Sequence, residues 1–237
     1  MNAGSIVETA LREGRSKLLE HEAMRLMELY GIKVADYGFA ESGREAREVA
    51  DKIGYPVVVK VVSPDISHKT DVGGVVLGLK SGEEVERACE AITKNVRERQ
   101  PGARLTGFLV QKMMPPGVEV IIGATRDQVF GPVIMFGLGG IFVEVLKDVT
   151  FRVAPVSYQD AIEMLGEIKA SRILEGYRSQ PPVDKEAIAG MIVSLSKLME
   201  DNPYIISVDL NPVIAYSRGA VVVDARVIVS RASVVNR

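Results

Sequence analysis

The pattern of apolar and polar positions predicts alternating helices and strands in the first hundred residues. Apolar side chains recur at helical spacing after Ser16, and Gly31 follows them where a C-terminal cap belongs. A strand is then predicted over Ile32–Phe39. Val57–Val62 is an almost wholly β-branched run, which is typical of a strand buried inside a sheet. The pattern therefore indicates an α/β-like first half.

Capping pairs mark two further helices of this half. Ser42 with Glu45, and Ser81 with Glu84, have the spacing at which a serine and a glutamate satisfy the first backbone N–H groups of a helix. A polar, glycine-containing segment over residues 63–74 separates the β-branched strand from the second of these helices. We expect this segment to be a loop.

The pattern changes after Gln100-Pro101-Gly102, a strong break that we interpret as a boundary. Beyond it the short connections between apolar runs are typical of an antiparallel sheet. We therefore predict an α+β fold. The strands predicted beyond the break are Leu105–Met114, Val118–Thr125, Val129–Phe136, Ile141–Leu146, Tyr204–Leu210 and Ala220–Val229, with helices over Ser157–Glu167 and after Asp184.

Composition then narrows the classes of protein. The chain has 237 residues, with 29 basic and 31 acidic side chains, so its net charge of −2 favours neither a nucleic-acid nor an anionic-membrane partner. A single cysteine excludes an internal disulfide. No apolar run approaches the roughly 18 residues of a membrane helix, and the N-terminal stretch lacks the apolar core of a signal peptide. We expect a soluble, cytoplasmic protein.

Lys60 is the first candidate for chemistry. Strand alternation puts it on the same face as Val58 and Val62. A lysine buried there without a partner is costly, so it should reach an anion or a cleft. The alternative is a lysine on an edge strand whose ammonium reaches water.

Asp209 and Asn211 close the strand that precedes Pro212. Positions i and i+2 share a face, so the carboxylate and the amide oxygen should point the same way. Two such oxygens suit Mg²⁺ held together with substrate phosphates. The alternative is an ordinary strand end with an Asx-Pro turn.

A glycine-rich segment, Gly137-Leu138-Gly139-Gly140, could present backbone N–H groups to a phosphate or could be a simple turn. It has neither dinucleotide-binding nor P-loop spacing. Glu119 and Glu144 interrupt apolar strands, and each is either a solvent-facing carboxylate or a ligand for ribose or metal. Arg126 and Arg152 are either surface charges or phosphate ligands.

His68 lies in the polar 63–74 segment, with Gly73 and Gly74 following it. One interpretation is a solvated loop histidine. The other is a nucleophile that carries a covalent group on a mobile loop.

Read in order, several segments resemble the nucleotide-binding part of ADP-forming acyl-CoA synthetases, and most of all the separate β subunits of ADP-forming acetyl-CoA synthetases. The resemblance runs from about Ser16 to Val229, and the segment around His68 is its most specific part. The segments that carry it are Leu29–Val34, Gly54–Lys60, Ser67–Val75, Gly137–Glu144 and Asp209–Pro212.

The resemblance implies an ATP-grasp fold with two lobes and the nucleotide between them. The expected parts are an N-terminal helical extension (1–15), an N-terminal lobe with the mobile His68 loop (16–102) and a C-terminal lobe (103–237). It also implies the reversible conversion of acyl-CoA, ADP and phosphate into free acid, CoA and ATP. A CoA-binding α subunit would be the partner, in an α₂β₂ heterotetramer.

The resemblance also assigns residues. His68 matches a phosphorylated carrier, Lys60 the lysine on the nucleotide phosphates, and Asp209 with Asn211 the Mg²⁺ ligands. Further positions in the ATP/ADP site are Gln111, Lys112 and Met113 beside the adenine, and Glu119, Arg126, Gly139 and Gly140 in neighbouring segments. Two other classes stay open: an ATP-grasp ligase that joins a carboxylate directly to an amine, and a catalytically silent nucleotide-binding subunit.

Overall fold

The computed structural model describes residues 2–140, 148–176 and 181–231. Contacts divide these residues into two compact units. The four-stranded unit comprises residues 19–21 and 35–115, and the six-stranded unit comprises the described residues of 1–18, 22–34 and 116–237. In chain order the elements are α1 (Ala3–Arg12), α2 (Glu20–Leu29), β1 (Tyr37–Ala40), α3 (Gly43–Ile53), β2 (Val57–Val62), β3 (Val75–Leu79), α4 (Gly82–Arg99), β4 (Gly107–Lys112), β5 (Val118–Asp127), β6 (Gly131–Leu138), β7 (Val149–Val153), α5 (Tyr158–Glu167), a 3₁₀ turn (Ser171–Ile173), α6 (Lys185–Asp201), β8 (Ile205–Ala215), β9 (Ala220–Val222) and β10 (Ala225–Val229).

The four-stranded unit is an antiparallel sheet in the order β1-β4-β2-β3, with α3 and α4 on one face. Both helices begin as predicted, because the Ser42 and Ser81 hydroxyls accept hydrogen bonds from the N–H groups of Glu45 and Glu84. The odd-numbered valines of β2 pack in the core beneath the helices. The opposite face of β2 therefore carries Val58, Lys60 and Val62.

The six-stranded unit is also antiparallel, in the order β10-β8-β5-β6-β7, with β9 paired to β8. Helices α5 and α6 pack against it, and α6 buries an apolar side that includes Ile188, Ile192 and Leu195. Strand β8 contains one extra residue relative to β5, because Val120 pairs with Val213 whereas Ile122 pairs with Leu210. The predicted α+β class is confirmed.

The structure corrects several predicted bounds. Helix α2 begins at Glu20 rather than at Ser16, because Lys17 forms an isolated antiparallel bridge with Ile228 and the Leu18 N–H donates to the Val227 oxygen. The strand predicted over 32–39 is shorter, and its first part contributes only a parallel bridge from Val34. Strand β7 was not predicted, and the strand predicted over 141–146, with Glu144, lies outside the described residues.

The boundary expected after Gly102 also differs from the grouping by contacts. Strand β4, at 107–112, lies between β1 and β2 in the middle of the four-stranded sheet, so residues up to 115 belong to that unit. The break at Gln100-Pro101-Gly102 ends α4 without ending the unit.

Two further features bear on function. None of the helices in the described ranges is long and apolar enough to cross a bilayer. Cys89 on α4 is buried, and desolvation, reinforced by the charge of Glu86, raises the pKa of its thiol to about 12.

Candidate functional site

In the four-stranded unit, Lys60 and Gln111 lie on the sheet face opposite the helices. Lys60 pairs with Leu109 and Val58 pairs with Gln111 across the two central strands, so all four share this face. Strand β2 is an inner strand, which removes the edge-strand alternative for Lys60. The residue is only 5% exposed, as the sequence predicts for a position that must find an anion.

The anion is Glu20, which sequence reasoning did not identify. Its Oε1 accepts a hydrogen bond of 2.7 Å from Lys60 Nζ, and both side chains are buried. Its Oε2 lies 2.8 Å from Lys69 Nζ, an ion-pair contact without hydrogen-bond geometry. One buried carboxylate therefore contacts a lysine of the sheet and a lysine of the 63–74 loop. No sequence signal joins positions 20, 60 and 69, because only the folded chain brings them together.

Gln111 is fully buried, and neither its side-chain nitrogen nor its oxygen has a hydrogen-bond partner among the residues described. An orphaned amide of this kind costs about 1–3 kcal/mol, so it is expected only where a ligand or water completes it. Its donor and acceptor could pair with one edge of a nucleobase.

The two neighbours of Gln111 differ from it. The Lys112 ammonium donates to the backbone oxygens of Gly54 and Tyr55, at 2.8 and 2.9 Å, and so holds β4 to the end of α3. Met113 is 38% exposed beyond the end of β4. Of the three residues expected beside the adenine, Gln111 therefore has the uncommitted polar side chain.

His68 is exposed, and its ring makes no hydrogen bond to any described residue. The chain on both sides of it is anchored. On one side Ile66 is buried in the core and Asp65 accepts a hydrogen bond of 2.7 Å from the Arg104 N–H. On the other side Asn95 donates to the Gly73 oxygen at 3.2 Å.

The glycines of this loop serve close packing. A Cβ at Gly73 would lie 2.7 Å from the Asn95 side chain, and its φ is +64°. A Cβ at Gly74 would lie 2.5 Å from Val61 and 3.0 Å from the Lys69 oxygen. The mobility of the His68 loop therefore stays a prediction, while the packing role of Gly73 and Gly74 is visible.

In the six-stranded unit, Asp209 and Asn211 are both exposed on β8, whereas Leu210 between them is buried. This alternation of exposed and buried residues follows the prediction as far as Asn211, where the extra residue of β8 begins. Partial desolvation by the surrounding protein and the charge of Asp224 raise the pKa of Asp209, and Arg226 opposes the shift. Two mutually repelling carboxyl groups beside an amide oxygen are a donor set that fits Mg²⁺. Asp224 was missed because it lies on another part of the chain, after β9.

No group of three or more His, Cys, Asp and Glu side chains placed to hold a metal occurs in the described part of the chain.

Glu119, Gly139 and Gly140 lie together at one end of the same sheet. The Gly139 N–H donates to the Glu119 oxygen at 2.8 Å, so this group is not available to a phosphate. A Cβ at Gly139 would lie 3.2 Å from the Glu119 backbone, and a Cβ at Gly140, where φ is +62°, would lie 3.8 Å from Glu119 Oε2. Glycine at 139 permits the close approach.

The side chains of Arg126 and Arg152 bind groups of the protein itself. Arg126 donates to the backbone oxygens of Met199, Asn202 and Ile205, and so binds the C-terminal end of α6. Arg152 pairs with Glu167 on α5. We therefore do not include Arg126 among the phosphate ligands, contrary to the expectation from the sequence.

A cleft of about 870 Å³ lies on the other side of the four-stranded sheet. Arg44, Thr93 and Phe108 are among the residues that line it, and none of the predicted site residues does. Its size alone does not make it a better candidate site than the Lys60 face, where the unsatisfied Gln111 amide and the Lys60–Glu20 ion pair lie.

Comparison with known proteins identifies the family. The model of the ATP-grasp domain matches residues 9–229. The chain belongs to the ATP-grasp family. Within that family it is 49% identical to the β subunit of acetate–CoA ligase [ADP-forming] I from Pyrococcus furiosus, over 95% of this chain and 97% of that subunit. The resemblance to ADP-forming acetyl-CoA synthetase β subunits is therefore confirmed.

A single-chain relative, acetate–CoA ligase [ADP-forming] I of Archaeoglobus fulgidus, is also 49% identical. There the match covers 95% of this chain but only 33% of the longer relative. This ATP-grasp chain thus spans about a third of that enzyme.

Solved structures show the same ATP-grasp fold. Acetyl-coenzyme A synthetase 1 of Ca. Korarchaeum cryptofilum, in complex with coenzyme A and Ca-AMPCP, superposes with a TM-score of 0.95 at 48% identity, covering 97% of this chain and 100% of that one. A second structure of that synthetase contains coenzyme A and Mg-AMPPCP, and its phosphohistidine segment points towards the nucleotide-binding site. It superposes with a TM-score of 0.85 at 45% identity, with the same coverage.

Proposed function

We propose that this chain is the nucleotide-binding subunit of an ADP-forming acyl-CoA synthetase. The complete enzyme converts acyl-CoA, ADP and phosphate reversibly into free acid, CoA and ATP. The observation that carries the proposal is His68: an exposed, uncommitted imidazole between two anchored loop segments, beside a lysine whose carboxylate partner also contacts the sheet lysine Lys60. A phosphoryl carrier needs such an accessible nucleophile.

Each unit contributes its own residues to nucleotide binding in this proposal. In the four-stranded unit Lys60 neutralises phosphate charge, and the Gln111 amide pairs with the adenine edge together with the backbone of Lys112 and Met113. In the six-stranded unit Asp209 and Asn211, with Asp224 beside them, would hold Mg²⁺. When bound, Mg²⁺ neutralises the charge that develops on the phosphate oxygens. Glu119, Gly139 and Gly140 contribute to nucleotide binding in the six-stranded unit.

The transfer step follows from the chemistry of imidazole. The unprotonated ring nitrogen of His68 attacks the γ-phosphorus of ATP, forming an N–P bond while the bond from phosphorus to the β-phosphate oxygen breaks and ADP leaves with that electron pair. In the reverse direction an oxygen of the ADP β-phosphate attacks phosphohistidine and the N–P bond breaks. Lys69, next to His68 in sequence, offsets the negative charge of the phosphoryl group.

The partner in this proposal is a CoA-binding α subunit, in an α₂β₂ assembly in the cytoplasm. The β-subunit name of the Pyrococcus relative and the single-chain Archaeoglobus enzyme, two thirds of which lies outside the match, support a partner. The chain alone is then expected not to turn over acyl-CoA.

The test is phosphorylation of the chain in complex with its partner. Brief incubation with Mg²⁺ and ATP labelled with ³²P at the γ position should place acid-labile, base-stable label on this chain. His68→Ala should bind ADP normally but carry no label, because alanine has no nucleophile. Ser67→Ala, an exposed neighbour on the same loop, is the matched control and should label normally.

Full activity of the His68→Ala complex with acyl-CoA, ADP and phosphate would contradict the carrier role. Ligation of the acid to an amine would indicate the direct carboxylate ligase instead. Nucleotide binding without any transfer by the complete complex would indicate a silent subunit.

A further inference from the structure

The contacts of Glu20 connect the 63–74 loop to the fixed sheet. Lys60 is on β2, an inner strand whose six residues are all buried, so its position is set by the sheet. Lys69 is on the loop, immediately after His68, and its side chain is 20% exposed. Glu20 touches one lysine with each carboxylate oxygen, at 2.7 and 2.8 Å.

We propose that Glu20 is a positioning residue: by bridging Lys60 and Lys69, it holds the His68 loop beside the phosphate-binding lysine during transfer to and from the nucleotide. The inference rests on the proposed function. It adds the group that determines the position of the His68 imidazole. In this role Glu20 acts through Lys69 and needs no contact with the nucleotide or the phosphoryl group.

The electrostatics favour this role. With its side chain 6% exposed, the carboxylate is little screened by solvent, so its attraction for each ammonium is stronger than at the surface. Without the negative charge, the attraction of Glu20 for both ammonium groups would be lost. Because Lys60 is fixed in the sheet and Lys69 is on a loop, the resulting change in position would fall on the loop.

Other contacts hold other parts of the loop. Asp65 and Asn95 hold it near its two ends, and Arg99 donates to the Asp71 oxygen at 2.9 Å. The Gly74 N–H donates to the Lys69 oxygen at 2.7 Å and holds the backbone of residue 69, while Glu20 contacts the side chain of the residue that adjoins His68.

Two half-reactions distinguish a loss of positioning from a loss of folding. In the first, His68 is phosphorylated (loaded) by Mg-ATP. In the second, it is phosphorylated from acyl-CoA and ³²P-labelled phosphate through the partner, without ADP. Rapid quench of the full complex should show loading from ATP slowed by about tenfold or more in Glu20→Gln, which corresponds to about 1.4 kcal/mol or more in the barrier. Loading from acyl-CoA should change less than about twofold.

Lys69→Gln is the second variant, since it removes the loop side of the bridge and keeps the buried Lys60–Glu20 pair. It should slow the ATP half-reaction at least as much as Glu20→Gln does, and Lys69→Arg should restore it. Because Lys69 also offsets the phosphoryl charge, the two half-reactions are compared with each other only in Glu20→Gln. Glu98→Gln, in an exposed ion pair on α4, is the matched control and should change neither rate.

Unchanged loading from ATP in Glu20→Gln and Lys69→Gln would overturn the inference, as would an equal fall of both half-reactions in Glu20→Gln. If the parent complex acquires no label from ATP at all, both the proposed function and this inference are wrong. If the parent complex is labelled and the variants have no effect, only the positioning role is wrong.

Discussion

The guanidinium of Arg126 on β5 donates a hydrogen bond to the backbone oxygen of Met199 in the last turn of α6. Two further carbonyl oxygens, those of Asn202 and Ile205, complete its contacts. The arginine thus satisfies carbonyl groups that a helix end leaves without partners inside the helix. Its burial lowers the pKa of the guanidinium, consistent with a charge partly removed from water.

Arg126→Ala should therefore reduce stability and spare the nucleotide site. We expect a loss of about 1–3 kcal/mol in the free energy of unfolding, because carbonyl groups lose their donor. The dissociation constant for Mg-ADP, measured by calorimetry below the unfolding temperature, should stay within about twofold of the parent value. A large loss of affinity with unchanged stability would return Arg126 to the phosphate ligands.

Lys60→Met should remove function and stability together, by separate causes. Breaking a buried ion pair costs on the order of 3 kcal/mol, since Glu20 loses its sheet-side partner. Nucleotide affinity falls because the ammonium no longer reaches the phosphates. Denaturant unfolding and calorimetry measure the two effects.

The double variant Lys60→Met/Glu20→Gln separates these causes. It should regain much of the lost stability, because no carboxylate is left without its partner, yet its nucleotide affinity should stay low. Recovery of affinity in the double variant would show that Lys60 acts only through Glu20.

Asp209→Asn should weaken Mg-nucleotide binding while raising stability. The pKa of Asp209 is raised in the folded state, so the ionised carboxylate destabilises the fold. Its favourable contribution is complete below the unfolded-state pKa and is lost as pH rises through the raised value. The variant should thus melt above the parent at neutral pH, and the difference should shrink on acidification.

Two measurements test this. Melting curves from pH 4 to pH 8 follow the stability difference, and Mg²⁺ titration of ADP binding should weaken by about tenfold or more, a change of about 1.4 kcal/mol. Asp127→Asn gives the contrast, because backbone N–H groups of Phe130 and Val129 lower the pKa of Asp127. That variant should lose stability at neutral pH and keep Mg²⁺ binding. A destabilised Asp209→Asn would contradict the raised pKa of Asp209, and unweakened Mg²⁺ binding would contradict its role as a ligand.

Gly74→Ala should disturb the His68 loop through a steric clash. The new methyl group would meet Val61 at 2.5 Å and the Lys69 oxygen at 3.0 Å, and such overpacking costs about 1–3 kcal/mol. Added to Gly74→Ala, Val61→Ala should recover part of this loss, so the double variant should be more stable than the sum of the two single effects predicts. Strict additivity in chemical denaturation would rule out the contact.

Local signals in the sequence were enough for part of the fold. The serine caps of α3 and α4 and the buried β-branched strand β2 appear as predicted, because each depends on neighbours within a few residues. The start of α2 was wrong, because the bridge from Lys17 to Ile228 joins residues far apart in the chain.

The candidate site shows the same contrast between local signals and long-range contacts. The sequence placed Lys60 on a buried face but could not name its partner, Glu20, which is 40 positions away. Residue type left Arg126 open between a surface charge and a phosphate ligand, and only the resemblance placed it in the nucleotide site. In the fold its guanidinium binds carbonyl oxygens at the end of α6. Side-chain identity suggests the chemistry, but long-range packing decides which groups are still available for it.

The single cysteine of the chain makes the His68 loop accessible to spectroscopy. The Cys89 thiol is buried and its pKa is raised to about 12, so at neutral pH it is almost entirely protonated and unreactive. A cysteine introduced at the exposed position Ser67 would therefore be the site that a maleimide dye labels. In the proposed complex, energy transfer from that dye to an acceptor on the α subunit would test in real time whether the imidazole moves between two sites, with the native cysteine left in place.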